Sequence, residues 1–320
     1  MTELPETAPP VPDLLARARL LVAPDVGDPV VRELERITGR PVERASGSAP
    51  DGPYLYVGAS LPDALRGGRL VWFHSVNAGT DALLDSGPWP PDALLTRTVG
   101  RMGERIAQYV LAWVLAECQA VPEFAAQHAR AEWRRIPSEL AAGQTALVYG
   151  TGRIGSAVAG LLRGCGIRTV GVARSPRAVP PPDFDRVIGA DADTEELGAA
   201  RWVIAALPLT DATEGYFGAR RFAAVRGASF VNVGRGATVD MEALGAALRA
   251  GTVRRAVLDV LPQEPAAPDA GCWQLPRTVI TSHSAGITAD EDVVRDFEAC
   301  WDELRTGKVP ALAVDADRGY

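Results

Sequence analysis

The chain has 320 residues, 47% of them hydrophobic and 23% charged, with a formal net charge of −7. That length suits about two domains at roughly 150 residues each, and the composition is that of a globular protein with a packed core. The acidic balance argues against a broad basic surface for nucleic acid, and the widely spaced Cys118, Cys165, Cys272 and Cys300 form no metal-ligand pattern.

The N-terminal stretch MTELPETAPPVPD is acidic and proline-rich and lacks the basic start and apolar run of a secretory signal. Residues 1–12 are expected to be frayed. No run reaches the length of an apolar membrane span, and a cytoplasmic protein is expected. Strand-like apolar runs are predicted at 19–23, 54–57, 70–74, 146–149, 169–173, 202–206, 229–233, 256–258 and 278–281. Most are separated by helical patterns, which predicts parallel sheets covered on both faces in an α/β fold. Two helices break the rhythm. One covers 102–119, with Ile106, Tyr109, Val110, Trp113 and Val114 on one apolar stripe that Glu117 interrupts; the other covers 289–305, with Val293, Val294, Phe297, Trp301 and Leu304 on one face. The expected organisation is a first α/β unit at 1–97, a second at 98–284, and a terminal helix in 285–320 that returns to the first.

Residues 146–155 read ALVYGTGRIG, a strand that runs into Gly150-x-Gly152-x-x-Gly155 and then a helical pattern. Gly150 allows a tight turn, Gly152 lets the backbone approach a pyrophosphate, and Gly155 lets helix and strand pack closely. The helix start at Arg153 and Ile154 then offers free N–H groups and the positive end of the helix dipole to phosphates. The next strand ends in Arg174, Ser175 and Arg177, where a carboxylate would mark an NAD site. Two guanidiniums and a hydroxyl suit a 2′-phosphate. NADP(H) is therefore expected in preference to NAD(H), with NAD(H) as the alternative.

Three later segments end predicted strands in chemically active residues: VNVGRGATVD with Arg235, LDVLPQEP with Asp259 and Glu264, and ITSHSAG with His283. With the glycine fingerprint, their order and spacing resemble the D-isomer-specific 2-hydroxyacid dehydrogenases. The resemblance covers nearly the whole chain and extends to HSVNAGTD, which is similar to that family's substrate loop and contains Ala78 and Gly79. MGE at 102–104, Trp133 and ARSPR look most like the glyoxylate/hydroxypyruvate reductase branch. The resemblance implies two doubly wound parallel-sheet domains, a flavodoxin-like substrate domain and a Rossmann cofactor domain, with a cleft between them. It also implies a homodimer built around the 102–119 helix.

Reduction of a 2-keto acid needs a carboxylate clamp, a hydride donor and a proton donor. Arg235 can grip the substrate carboxylate, with its flanking glycines letting backbone and ligand come close. His283 is the expected general acid/base, since an imidazole changes charge near neutrality, and Glu264 would orient it. The backbone N–H groups of Ala78 and Gly79 would complete the carboxylate site. Leu207, Pro208, Val233, Asp259 and His283 are expected to meet the cofactor at the ends of the following strands. Asp259 resembles the family residue that meets the nicotinamide carboxamide, with a loop cap as the alternative. His74 is expected to be a satisfied structural histidine.

Some positions depart from the family pattern. Ser282 stands where a proline usually precedes the histidine, which would loosen that loop, and Asn77 and Ala266 are also unusual. Two rival readings stay open: the same chemistry on a bulkier or phosphorylated 2-hydroxy acid, and a non-catalytic NAD(P)-sensing protein of the corepressor kind.

Overall fold

The computed structural model describes residues 12–177 and 179–316. The expected frayed tail therefore lies outside the described residues, apart from Pro12, which opens the first helix. The chain divides into two compact units, residues 1–102 with 287–320, and residues 103–286.

The first unit runs α1 (Pro12–Arg17), β1 (Arg19–Val22), α2 (Asp28–Thr38), β2 (Val42–Arg44), β3 (Pro53–Gly58), α3 (Asp63–Arg66), β4 (Arg69–Ser75), α4 (Asp81–Asp85) and β5 (Leu94–Arg97). All its sheet pairings are parallel, in the order β2-β1-β3-β4-β5, the flavodoxin-like arrangement. One face of the sheet packs Leu20, Val22, Leu55, Val57 and Trp72 against Phe297 and Trp301; the other packs Tyr54, Tyr56 and Phe73 against Leu61 and Leu65.

The second unit follows with α5 (Met102–Cys118), α6 (Val121–Ala129), β6 (Thr145–Tyr149), α7 (Arg153–Gly164), β7 (Arg168–Ala173), β8 (Arg186–Gly189), α8 (Asp193–Ala199), β9 (Trp202–Ala205), α9 (Ala219–Ala224), β10 (Ala228–Asn232), α10 (Met241–Ala250), β11 (Val253–Leu258) and β12 (Thr278–Ile280). This sheet is also parallel, in the order β12-β11-β10-β9-β6-β7-β8. Its strand order reverses at β6, which pairs with β9 on one side and β7 on the other. The crevice beyond the carboxyl ends of strands at such a reversal is where ligands collect in doubly wound sheets.

The final helix, α11 (Asp290–Arg305), belongs to the first unit. Its buried stripe of Val293, Phe297, Cys300, Trp301 and Leu304 covers that unit's sheet, and Trp72 stacks on Phe297 with ring centroids 4.9 Å apart. The divisions fall at 102/103 and 286/287, a few residues beyond 97/98 and 284/285. The reason is local. The N–H groups of Val99 and Gly100 both donate to Asp296 Oδ2 at 2.7 Å, and that of Arg101 donates to Asp292 Oδ1 at 3.2 Å. Side chains of α11 thus hold the segment that leads into α5.

Glu117, which interrupts the apolar stripe of α5, is largely buried. Its carboxylate accepts from Ser229 Oγ at 2.7 Å and from Arg201 Nη2 at 2.8 Å. A buried carboxylate is tolerated when it is paired and hydrogen-bonded in this way. Three short strands, β2, β5 and β8, have no counterpart among the predicted runs; two of them are partly exposed along their length.

His74 is fully buried in β4, with Nδ1 2.7 Å from Thr96 Oγ1 and Nε2 3.1 Å from Thr98 Oγ1. Thr98 Oγ1 donates its one proton to the Ser75 carbonyl, so it accepts from Nε2–H and fixes the neutral tautomer. Burial pushes this imidazole down to about 3. The unfolded chain takes up a proton below about pH 6.5 while the folded chain does not. Stability is therefore expected to fall as the pH drops from about 6.5 towards 3. His74→Gln should remove roughly 3 kcal/mol of that acid-side loss between about pH 7 and about pH 4. Urea unfolding at the two pH values measures it; equal losses in both proteins would show that His74 does not set the slope.

Candidate active site

The phosphate loop starts where β6 ends. Gly150 has φ +97°, and a Cβ there would lie 2.5 Å from the Ala206 carbonyl oxygen. At Gly155 a Cβ would lie 1.8 Å from the Gly150 carbonyl oxygen, so the first turn of α7 rests directly on the turn below it. Gly152 differs: a Cβ would meet nothing within 4 Å, and no side chain caps the helix it precedes. The exposed Arg153 and half-buried Ile154 open that helix. The glycines at 150 and 155 therefore serve protein packing, while Gly152 leaves open space in front of uncapped N–H groups. A dinucleotide pyrophosphate fits this arrangement.

Beyond β7, Arg174, Ser175 and Arg177 are all exposed, and neither guanidinium has a hydrogen-bonding or ion-pair partner among the described residues. The backbone of Arg177 is tied to Val187 by an isolated antiparallel bridge. Two unpaired cations on a short turn beside the phosphate loop fit a phosphate-bearing ribose better than a bare diol.

Arg235 stands at the tip of β10, and the glycines around it have a different use from the one the sequence suggests. A Cβ on Gly234 would lie 2.5 Å from the Leu207 carbonyl oxygen, and one on Gly236 only 1.8 Å from the Leu261 carbonyl carbon. The missing side chains admit neighbouring protein backbone, the segments after β9 and β11, where the sequence pattern was read as admitting ligand. Asn232 reinforces the tip: its Oδ1 accepts from Gly234 N at 3.0 Å and its Nδ2 donates to the Arg235 carbonyl at 3.1 Å. Thr238 Oγ1 donates to that same carbonyl at 2.7 Å. Arg235 is half-buried, and its Nη1 donates to the Gly234 carbonyl at 2.9 Å.

His283 Nδ1 lies 2.7 Å from Glu264 Oε2, and Glu264 Oε1 accepts from the Leu261 backbone N–H at 2.7 Å. An ionised carboxylate only accepts, so Nδ1 carries the proton in this pair and Nε2 is left for other chemistry. The side chains are 53% and 35% exposed. An ion pair this open contributes little to stability; what it fixes is the orientation of the ring.

The histidine loop is firmly held, contrary to what Ser282 in place of proline implies. Ser282 and His283 have φ +54° and +57°. A proline ring fixes φ near about −65°, so proline cannot occupy this turn. The His283 N–H donates to the Asp259 carbonyl at 2.6 Å, and Ser284 N and Ala285 N donate to Asp259 Oδ1 at 2.8 and 3.0 Å. Asp259, 3% exposed, thus acts as the cap of this loop. Two residues behind that cap were missing from the sequence reading: Thr281, which donates to the same oxygen, and Tyr109, whose hydroxyl meets Thr281 and which was counted only as part of an apolar stripe.

Arg235, Glu264 and His283 line one cavity of about 200 Å³ together with Leu209, Gly236, Ala237, Val260, Leu261 and Pro262. Leu207, Pro208 and Val233 follow β9 and β10 at the same sheet edge but do not line it. Ala78 and Gly79 belong to the first unit, in the loop that follows β4, where the Ala78 carbonyl accepts from Arg97 at 3.4 Å. A larger cavity of about 480 Å³ lies between α10 and the 266–275 segment; it includes none of the three polar residues. Among the described residues no cluster of three His, Cys, Asp or Glu side chains could hold a metal ion, and no helix is long and apolar enough to cross a membrane.

Comparison with known proteins shows the family. The model of the D-isomer specific 2-hydroxyacid dehydrogenase NAD binding domain matches residues 111–285. An uncharacterized protein in the mprR 3′ region of Streptomyces coelicolor is 59% identical over 277 residues, 86% of this chain and 99% of that one. Glyoxylate/hydroxypyruvate reductase A of Serratia proteamaculans is 30% identical over 79% of this chain and 82% of its own length. Among solved structures, the D-isomer specific 2-hydroxyacid dehydrogenase of Xanthobacter autotrophicus in complex with NADPH and MES superposes with a TM-score of 0.81 at 29% identity, covering 95% of this chain and 100% of that one. With its two parallel sheets and its glycine loop, the chain belongs to the D-isomer specific 2-hydroxyacid dehydrogenase family of NAD(P)-dependent oxidoreductases.

Proposed function

We propose that this protein is an NADP(H)-dependent reductase of a small 2-keto acid of the glyoxylate or hydroxypyruvate type. The observation that carries the reading is the oriented Glu264–His283 pair in one cavity with Arg235. The Serratia relative is named for reduction of those two acids, and the Xanthobacter structure holds NADPH.

Gly150, Gly152, Arg153, Ile154 and Gly155 would hold the pyrophosphate, and Arg174, Ser175 and Arg177 the 2′-phosphate. Leu207, Pro208, Val233 and Asp259 would meet the rest of the dinucleotide. When bound, the nicotinamide supplies the hydride. Arg235 grips the substrate carboxylate and polarises the neighbouring carbonyl by charge-assisted hydrogen bonds. Glu264 holds the Nδ1–H of His283, so the ring presents Nε2 to the carbonyl oxygen and delivers a proton there as the hydride arrives at carbon. In the reverse direction Nε2 takes the proton from the hydroxyl.

A second copy of the chain is the proposed partner. Of the apolar side chains on the second unit's surface, Val121 and Phe124 on α6, and Trp133 and Leu140 beyond it, are 52%, 44%, 99% and 82% exposed. Ile106, Val110 and Val114 of α5 are buried while Leu115 of the same helix is 38% exposed, so the proposed contact extends from the 102–119 helix to α6 and the segment that follows. Exposed apolar groups so close in sequence fit an interface between copies. Light scattering should give twice the monomer mass, and Trp133→Glu should shift it towards one; a monomeric wild type would end this proposal.

Loss of nicotinamide absorbance with NADPH and a panel of 2-keto acids tests the main reading. Turnover should be fastest on glyoxylate and hydroxypyruvate. Cofactor binding without turnover on every acid would point to a sensor instead. Arg235→Ala should lower kcat/KM by about a hundredfold or more while NADPH affinity stays nearly intact; equal loss of cofactor binding would mean the arginine is misplaced. Arg174→Asp should raise the NADPH dissociation constant about tenfold and shift preference towards NADH, since a charge-assisted contact is replaced by repulsion. An unchanged cofactor ratio would remove the phosphate role.

A further inference from the structure

Two consecutive non-glycine residues, Ser282 and His283, stand in left-handed backbone. Such backbone is costly for a residue with a Cβ and persists only where the surroundings impose it. The imposing group is Asp259, and its Oδ1 has a third donor besides the two loop N–H groups: Thr281 Oγ1 at 2.6 Å. The one hydroxyl proton of Thr281 goes to that carboxylate. Tyr109 Oη, 2.7 Å from Thr281 Oγ1, must then be the donor between the two hydroxyls. Burial pushes the Tyr109 phenol up to about 12, so the donor proton is kept throughout the neutral range. The result is a directed chain, Tyr109 to Thr281 to Asp259, in which each bond polarises the next. It runs from α5 to the base of the histidine loop within the second unit, and Tyr109 does not line the cavity that contains Arg235.

We propose that Tyr109 is a positioning residue for His283: its hydroxyl, acting through Thr281 and Asp259, sets the left-handed turn that presents the imidazole to Glu264. The inference rests on the reading of His283 as the proton donor. A ring that only packed against Trp113, its edge-to-face neighbour with centroids 6.2 Å apart, would not need the hydroxyl.

Tyr109→Phe keeps the ring and removes only the hydroxyl. It should lower kcat for 2-keto acid reduction about tenfold, since small misplacements of an acid group are costly, with KM within about twofold and the NADPH dissociation constant and thermal midpoint unmoved. The chain has three histidines, so the imidazole N–H protons can be assigned by nitrogen-edited NMR using His283→Gln. The Glu264-bonded Nδ1–H of His283 should be resolved in the wild type and broadened by exchange in Tyr109→Phe. Thr281→Val should reproduce both effects, the double variant should lose no more than either single one, and Thr281→Ser, which keeps the hydroxyl, should retain the NMR signal. Unchanged kcat and an unchanged His283 signal in Tyr109→Phe would overturn the proposal while leaving the proton-donor reading intact. Full activity in His283→Gln would instead overturn that reading, and the proposal with it.

Discussion

Backbone packed directly on backbone at the carboxyl edge of the second sheet is the constraint on which this molecule depends. Gly150 and Gly234 leave no room for a side chain against the segment that follows β9, and Gly236 leaves none against the segment that follows β11. Because those loops touch without intervening side chains, residues far apart in sequence end up sharing one small cavity. Arg235 and Glu264 arrive there on adjacent strands, β10 and β11, and His283 on the next, β12. A parallel sheet delivers every strand end to the same edge, so a constellation assembled from several strands needs only short, close-packed loops.

The chemistry divides between rigid and exposed groups. Asp259 is buried, and its Oδ1 accepts from Thr281 and from two N–H groups of the loop it caps, which fixes the backbone beneath the imidazole. Glu264 and His283 are open to solvent, so their mutual contact sets direction and contributes little energy. The proposed role of His283, to give up and regain a proton on each turnover, gains from that arrangement: its support is desolvated and fixed while Nε2 stays accessible. The guanidiniums of the two arginines on the turn after β7 likewise lack partners among the described residues, which suits the phosphate contact proposed for them.

Much of this was legible in the sequence, for identifiable reasons. Fully buried strands such as β6, β9 and β10 are continuous apolar runs, and the glycine fingerprint sits between one of them and a helix. The strands that escaped notice are short and lie at sheet edges, where β2 and β8 keep partly exposed residues and no continuous apolar run survives. Glu117 looked like a flaw in a helix because its partners, Arg201 and Ser229, are about a hundred residues away. The conformation of Ser282 and the hydrogen bonding of Tyr109 were hidden for the same reason, whereas the loop cap at Asp259 was one of its two readings. A left-handed φ at Ser282 is imposed by tertiary hydrogen bonds and has no compositional signal. The glycines beside Arg235 were recognised as marking close approach, but which group approaches depends on packing that only the folded chain defines.

The measurement that bears most directly on the account is a structure of the protein with NADPH and oxalate, an unreactive stand-in for a 2-keto acid. The account predicts one oxalate carboxylate on the Arg235 guanidinium and an oxygen of the other about 3 Å from His283 Nε2, with Glu264 still on Nδ1. Oxalate bound away from Arg235, or an imidazole turned from it with the Glu264 contact broken, would contradict the account.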